Sequence, residues 1–188
     1  YALSFDERDR VFAIAVEELK GKVPVRAMGC EPHLIGEMVD FLRHAEQSKV
    51  DAAQIFSLDI GHSAKPRPPE LEKYYSTVIE ATSLPVYLSS HYSAGYFIPP
   101  DLIERLVDRY STIAGVAYGG TDMMYLDEII RRVGDRVEVY CAGPGAAVST
   151  LALGGNGFMG GEGNFSPELA ASVISSFEAG DKARLRDS

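Results

Sequence analysis

With 188 residues, 46% of them apolar and 24% charged, the chain lies in the single-domain range and can bury a real core. Its formal net charge of −9, with no basic cluster on one face, argues against a polyanionic partner such as a nucleic acid. No apolar run approaches the roughly 20 residues a bilayer span requires, and the first residues carry no signal-peptide pattern, so no membrane partner is expected. Two cysteines, Cys30 and Cys141, make no disulfide framework and fit a reducing compartment. The expectation is a cytoplasmic protein acting on a small molecule or on another protein.

The first element announces itself at Ser4–Glu7, where Ser-Phe-Asp-Glu is a capping box. The helix behind it carries Val11, Phe12, Ile14, Ala15 and Leu19 at helical spacing on one side. Gly21 and Pro24 close it, and Val23–Met28 reads as a short buried strand. The alternation then repeats. Helices are predicted near 34–47, 70–81, 101–110, 125–133 and 146–153, and strands at 52–56, 84–88, 113–118, 137–140 and 157–160. A last helix opens at Ser166-Pro167-Glu168, with Pro at the first helical position and Ser as its cap.

Strands alternating with helices of this length make a parallel sheet with right-handed crossovers. An open doubly wound sheet would carry a Gly-x-Gly-x-x-Gly turn after its first strand, whereas this chain has Gly29-Cys30-Glu31-Pro32-His33. Its glycines gather instead after the last two strands, from Gly143 and Gly145 to Gly160, Gly161 and Gly163, where barrels often place an anion site. The expected fold class is therefore α/β, a TIM (β/α)8 barrel. Six strands are legible where a closed barrel has eight, and the first element is a helix. The expectation is one barrel domain over 1–188, seen without its first two strands and without C-terminal helices.

Several motifs then point to a family. Leu3-Ser4-x-x-Glu7-Arg8, Val23-Pro24-Val25, Tyr74-Tyr75 before Leu84-Pro85-Val86, Gly115-Val116 after Ile113, and Gly157 through Asn164 to Pro167 occur in order. Together they resemble the dihydrodipicolinate synthase/N-acetylneuraminate lyase family across nearly the whole chain. The resemblance implies a homotetrameric lyase of the class I aldolase or dehydratase type, with no cofactor. In that family a lysine attacks the ketone of a 2-keto acid to form a Schiff base, and a tyrosine on the preceding strand relays protons.

The chain departs from the pattern at those positions. The lysine falls on Ala117, the tyrosine on Ser89 and a frequent arginine on Ala94. An alanine forms no imine, so a natural divergent branch without the usual Schiff base is expected.

The remaining candidates stand where strands end, because active sites of this fold occupy that face. His91, Tyr118 and Glu162 are the candidate catalytic, proton-handling groups. Ser89, Ser90, the Ala117 position and Gly161 are the candidate substrate-binding positions. Each has a plainer reading: a loop histidine, an aromatic wall, serines capping a turn. Cys30 and Cys141 read as small buried hydrophobes rather than nucleophiles. Asp59, His62 and His91 could assemble a metal site, but no His-x-His or His-Glu-x-x-His spacing supports one, so no metal is expected. Gly143-Pro144-Gly145 is either an anion cradle or a tight turn. Lys65-Pro66-Arg67-Pro68 is either a steering cluster or a solvated loop.

The leading expectation is a lyase-like enzyme acting on a small 2-keto or hydroxy acid, a small-molecule carboxylic acid partner, as a homo-oligomer. The rivals are a non-catalytic, metabolite-binding degenerate barrel and a metal-dependent aldolase.

Overall fold

A computed structural model describes residues 3–187. Contacts divide the chain into two compact units, one ending at Ala114 and the other beginning at Gly115.

The first unit opens with helix α1 (Phe5–Leu19). Its capping box is present: Ser4 Oγ accepts from Glu7 N–H at 3.3 Å and Glu7 Oε2 accepts from Ser4 N–H at 2.8 Å. Of the expected apolar side only Phe12 is buried, edge-on to Phe41 with ring centroids 6.2 Å apart. Val11, Ile14 and Leu19 remain about half exposed, because α1 touches its unit along one narrow stripe. Strand β1 (Arg26–Met28) starts later than the apolar run suggests. Pro24 has no N–H to give a ladder, and Val25 N–H is taken by Asp51 Oδ2 at 2.8 Å.

Helix α2 (Ile35–Gln47), strand β2 (Ala52–Ile55), helix α3 (Pro68–Glu80), strand β3 (Val86–His91) and helix α4 (Pro100–Arg109) follow. The three strands pair in parallel, with Arg26 opposite Ala52 and Ala53 opposite Val86. Tyr74 and Tyr75 of α3 are wholly buried. β3 runs three residues beyond its expected end, so Ser89, Ser90 and His91 belong to the strand and alternate between its faces.

Strand β4 (Ile113–Gly119) leads into the second unit, which continues with α5 (Met123–Val133), β5 (Glu138–Ala142), α6 (Ala147–Ala152), β6 (Gly157–Met159) and α7 (Pro167–Glu178). β4, β5 and β6 are again parallel, with Gly115 opposite Glu138 and Tyr140 opposite Gly157. Pro167 occupies the first turn of α7 as expected, but the Ser166 side chain makes no capping bond. Its extended reading as a cap fails because its φ and ψ are −143° and 62°, away from the usual cap conformation. A short helix α8 (Lys182–Asp187) was not legible in the periodicity; Asp181 Oδ1 starts it by accepting from Arg184 N–H at 3.0 Å.

Candidate active site

The carboxyl ends of β1, β2 and β3 carry the densest polar chemistry of the first unit. Parallel pairing sends all three strand ends the same way, so residues distant in sequence converge there. Glu31 follows β1, His91 closes β3, and Ser93 lies in the single 3-10 turn Tyr92–Ala94 behind it. His91 Nε2 stands 3.1 Å from Glu31 Oε1, and Ser93 Oγ is in hydrogen-bond contact with both His91 Nδ1 and Glu31 Oε1. The Glu31 side chain is 9% exposed and that of His91 22%. Phe56 packs edge-on against the imidazole, ring centroids 5.1 Å apart. Burial pushes the His91 pKa down, and the Glu31 carboxylate pulls the other way without reversing it.

Beneath this cluster lies a buried polar layer. Gln54 Nε2 donates to Ser89 Oγ at 2.9 Å, while Gln54 Oε1 is buried without a partner. Ser57 Oγ donates to Ser89 carbonyl at 3.3 Å and lies 3.2 Å from Tyr75 Oη. Ser90, on the opposite face of β3, accepts from Ile98 N–H at 3.1 Å and ties down the loop behind the strand. Tyr74 Oη donates to the Phe56 carbonyl at 2.6 Å, and burial holds its pKa well above that of a free phenol.

The loop after β2 is unusually constrained. Gly61, His62 and Ser63 are successive left-handed residues, with φ of 84°, 55° and 54°. Gly95 (φ 85°) meets this loop so closely that a Cβ on it would lie 2.5 Å from Ser63 Cα. Only glycine fits there, and the contact positions the turn that carries Ser93.

Within the second unit, Ala117 lies in β4 and is 6% exposed. Tyr118 is buried, and its hydroxyl is committed to its own loop: it accepts from Asp122 N–H at 2.8 Å and donates to the Asp122 carbonyl at 3.1 Å. Burial raises its pKa. Glu162 starts a 3-10 turn (Glu162–Asn164), and its Oε2 is buried without a partner. A Cβ on Gly160 would stand 2.1 Å from that oxygen and one on Gly143 3.4 Å from Oε1, so glycines make room for the carboxylate. Gly161, next to it, is exposed. Cys141 lies within β5, its thiol pKa raised by burial, in keeping with a packing role.

Ser89, Ser90 and His91 thus share one strand end, and Tyr118, Glu162, Ala117 and Gly161 belong to the other unit. Asp59, His62 and His91 are not gathered as ligands; among the described residues no group of three or more His, Cys, Asp or Glu could hold a metal. Gly143 turns with φ 72° into a 3-10 turn, Pro144–Ala146. Arg67 pairs with Glu70 at 2.6 Å, and both Arg67 and Lys65 are exposed. Ser93 and Gln54 were missed by sequence reasoning. Ser93 is one serine among many, and its significance lies in two contacts to residues 62 and 2 positions away. Gln54 could have been noticed as an amide inside an otherwise apolar strand.

Six strands, each after a helix and parallel in both units, define the fold class as a (β/α) barrel. The chain belongs to the dihydrodipicolinate synthetase family, whose sequence model matches residues 1–187. Among its relatives, the 4-hydroxy-tetrahydrodipicolinate synthase of Acidithiobacillus ferrooxidans is 31% identical over 181 residues, covering 95% of this chain and 60% of that protein. The Methanopyrus kandleri enzyme of the same name is 30% identical over 186 residues, covering 98% and 61%. The chain therefore spans about 60% of the length of these curated relatives. Dihydrodipicolinate synthase of Aquifex aeolicus superposes with a TM-score of 0.87 at 24% identity over 99% of this chain and 62% of that one. YagE, a prophage protein of E. coli K12 solved in complex with pyruvate, gives 0.87 at 24% over 98% and 62%. These structural likenesses establish the barrel fold. No helix of the described residues is long and apolar enough to cross a membrane.

Proposed function

We propose that the chain is part of a lyase-like barrel that handles a small 2-keto or hydroxy acid without a Schiff base. The observation that carries the second half is Ala117, buried in β4 where the family's lysine falls. An imine-forming lysine needs an amine desolvated or crowded by positive charge. All six lysines of the chain (20, 22, 49, 65, 73 and 182) are exposed, which supports the reading. The keto-acid half rests on family membership and on the relatives named 4-hydroxy-tetrahydrodipicolinate synthase, together with YagE holding pyruvate.

In this reading His91 is the acid/base, neutral near pH 7 because burial holds its pKa down. Ser89 orients substrate from β3, with Gln54 fixing its hydroxyl, while Ser90, on the other face, supports the site by holding the loop at Ile98. Within the second unit, Tyr118, Glu162, Gly161 and the Ala117 position are proposed on their own, Glu162 through its unpartnered oxygen. Residues 1–188 are taken as one barrel domain seen in part, and the working protein as a cytoplasmic homo-oligomer.

The test is reaction with pyruvate and borohydride followed by intact mass. No adduct is expected; a reduced pyruvyl adduct overturns the claim that imine chemistry is lost. A panel of 2-keto and 2-hydroxy acids should raise the melting temperature, and silence from every acid would overturn the substrate class. His91→Ala should lower turnover by about a hundredfold or more if the residue moves a proton.

A further inference from the structure

Glu31 and His91 both touch the Ser93 hydroxyl, which has one proton to share between them. Ser93 Oγ donates that proton to Glu31 Oε1, a carboxylate oxygen that can only accept while ionised. The bond between Ser93 Oγ and His91 Nδ1 is then made only if the ring supplies the proton. His91 Nε2 stands 3.1 Å from Glu31 Oε1, close enough for an ion pair but not aligned as a hydrogen bond, so the carboxylate does not hold a proton on Nε2 of the neutral ring. We propose that Ser93 is a positioning residue that locks neutral His91 in the Nδ1–H tautomer and leaves Nε2 as the nitrogen that takes and returns the proton. The assignment rests on the reading of His91 as the acid/base.

The opposite tautomer would set two lone pairs, on Nδ1 and Oγ, against each other once the serine proton has turned to Glu31. Escape by moving the serine is restricted. Ser93 sits in the 3-10 turn Tyr92–Ala94 directly behind β3, closed by the left-handed Gly95, and Gly95 is packed on the Ser63 backbone too closely for any Cβ. Phe56 stands edge-on to the imidazole at 5.1 Å and limits its rotation. With Nδ1 committed inside the protein, Nε2 is the ring's remaining site for a proton.

Glu31 then contributes as the proton moves. A proton leaving a substrate O–H or C–H leaves its bonding pair on the substrate atom and arrives at Nε2. The ring becomes a cation 3.1 Å from the carboxylate, and an attraction absent from the neutral ring grows with the charge. The Glu31 side chain is 9% exposed, so water screens that attraction little. Burial by itself disfavours the cation, and Glu31 offsets part of that cost. Return of the proton from Nε2 to product restores the neutral Nδ1–H ring. His91 is the catalytic residue, and Ser93 and Glu31 act through it.

The experiment is nitrogen NMR of the protein labelled in its histidine rings, where the two nitrogens of each ring report its tautomer. His91 is assigned by loss of its signals in His91→Gln, or by replacing His33, His44 and His62 one at a time should that variant unfold. The expected neutral ring carries its proton on Nδ1. Ser93→Ala should shift the ratio toward Nε2–H by roughly five- to tenfold, the worth of about one hydrogen bond, and Ser93→Thr should restore it. A merely structural serine would lower the melting temperature and leave the ratio unchanged. That result, or a wild-type ring with its proton on Nε2, overturns the proposal. Glu31→Gln should lower the midpoint at which the ring titrates, because Glu31 is the charged group that raises it and Phe56, on the other side, carries no charge. A midpoint that stays or rises overturns the role of Glu31. The spectra need no substrate, so an acid panel without melting shifts defeats the keto- or hydroxy-acid reading while the tautomer is still decided on its own.

Discussion

His91 lies under two opposed influences, and their balance sets its use. The apolar neighbourhood, including Phe56, disfavours the imidazolium, and Glu31 favours it; burial wins and the pKa falls below its ordinary 6.5. Because the unfolded chain then binds more protons than the folded one, this group contributes stability that is present above pH 6.5 and is lost as pH falls through the folded pKa. Urea unfolding at neutral and at about pH 5 should show that loss, and His91→Asn should flatten the difference. Tyr118 is a contrasting case. The sequence offers Tyr118 as a proton-handling group or an aromatic wall, while the structure uses its hydroxyl to hold both backbone groups of Asp122. Tyr118→Phe should therefore cost on the order of 1–3 kcal/mol in denaturant unfolding, since Asp122 N–H loses its acceptor.

At the scale of elements, local signals and local constraints agree in some places and part in others. Asp122 caps α5 by accepting from Met124 and Tyr125 N–H at 2.9 and 3.2 Å. Asp122→Ala should destabilise by about 1 kcal/mol, measured by the shift in chemical denaturation midpoint. Gly95→Ala should be worse, because the alanine would need a left-handed φ and would drive its Cβ into Ser63. A loss above about 2 kcal/mol, with a change at the turn bearing Ser93, is expected. Helix and strand order could be read from periodicity because burial recurs at 3.6 residues in helices and in short apolar runs in strands. The end of β3 could not, since Ser89-Ser90-His91 is polar and only its place in the sheet and the burial of both serines make it strand. Ser166 shows the reverse: a cap in sequence that the backbone conformation does not use.

At the scale of the whole molecule, the charge of −9 has a kinetic consequence. In the proposed reading an anionic acid approaches against a repulsive field, so its association rate should rise as salt screens that field. Stopped-flow binding at low and near-physiological ionic strength checks this, and a rate that falls with salt would point to a local cationic funnel. The repeating order of helix and strand and the family were determined by the sequence, because each depends on pattern along the chain. What only the tertiary structure decided is the company His91 keeps. Glu31 and His91 are separated by 60 positions, and β2 lies between their strands. Nothing in local pattern encodes that meeting. It follows from parallel pairing, which sets the ends of β1, β2 and β3 side by side, and from burial, which leaves the carboxylate nowhere better to go than the imidazole.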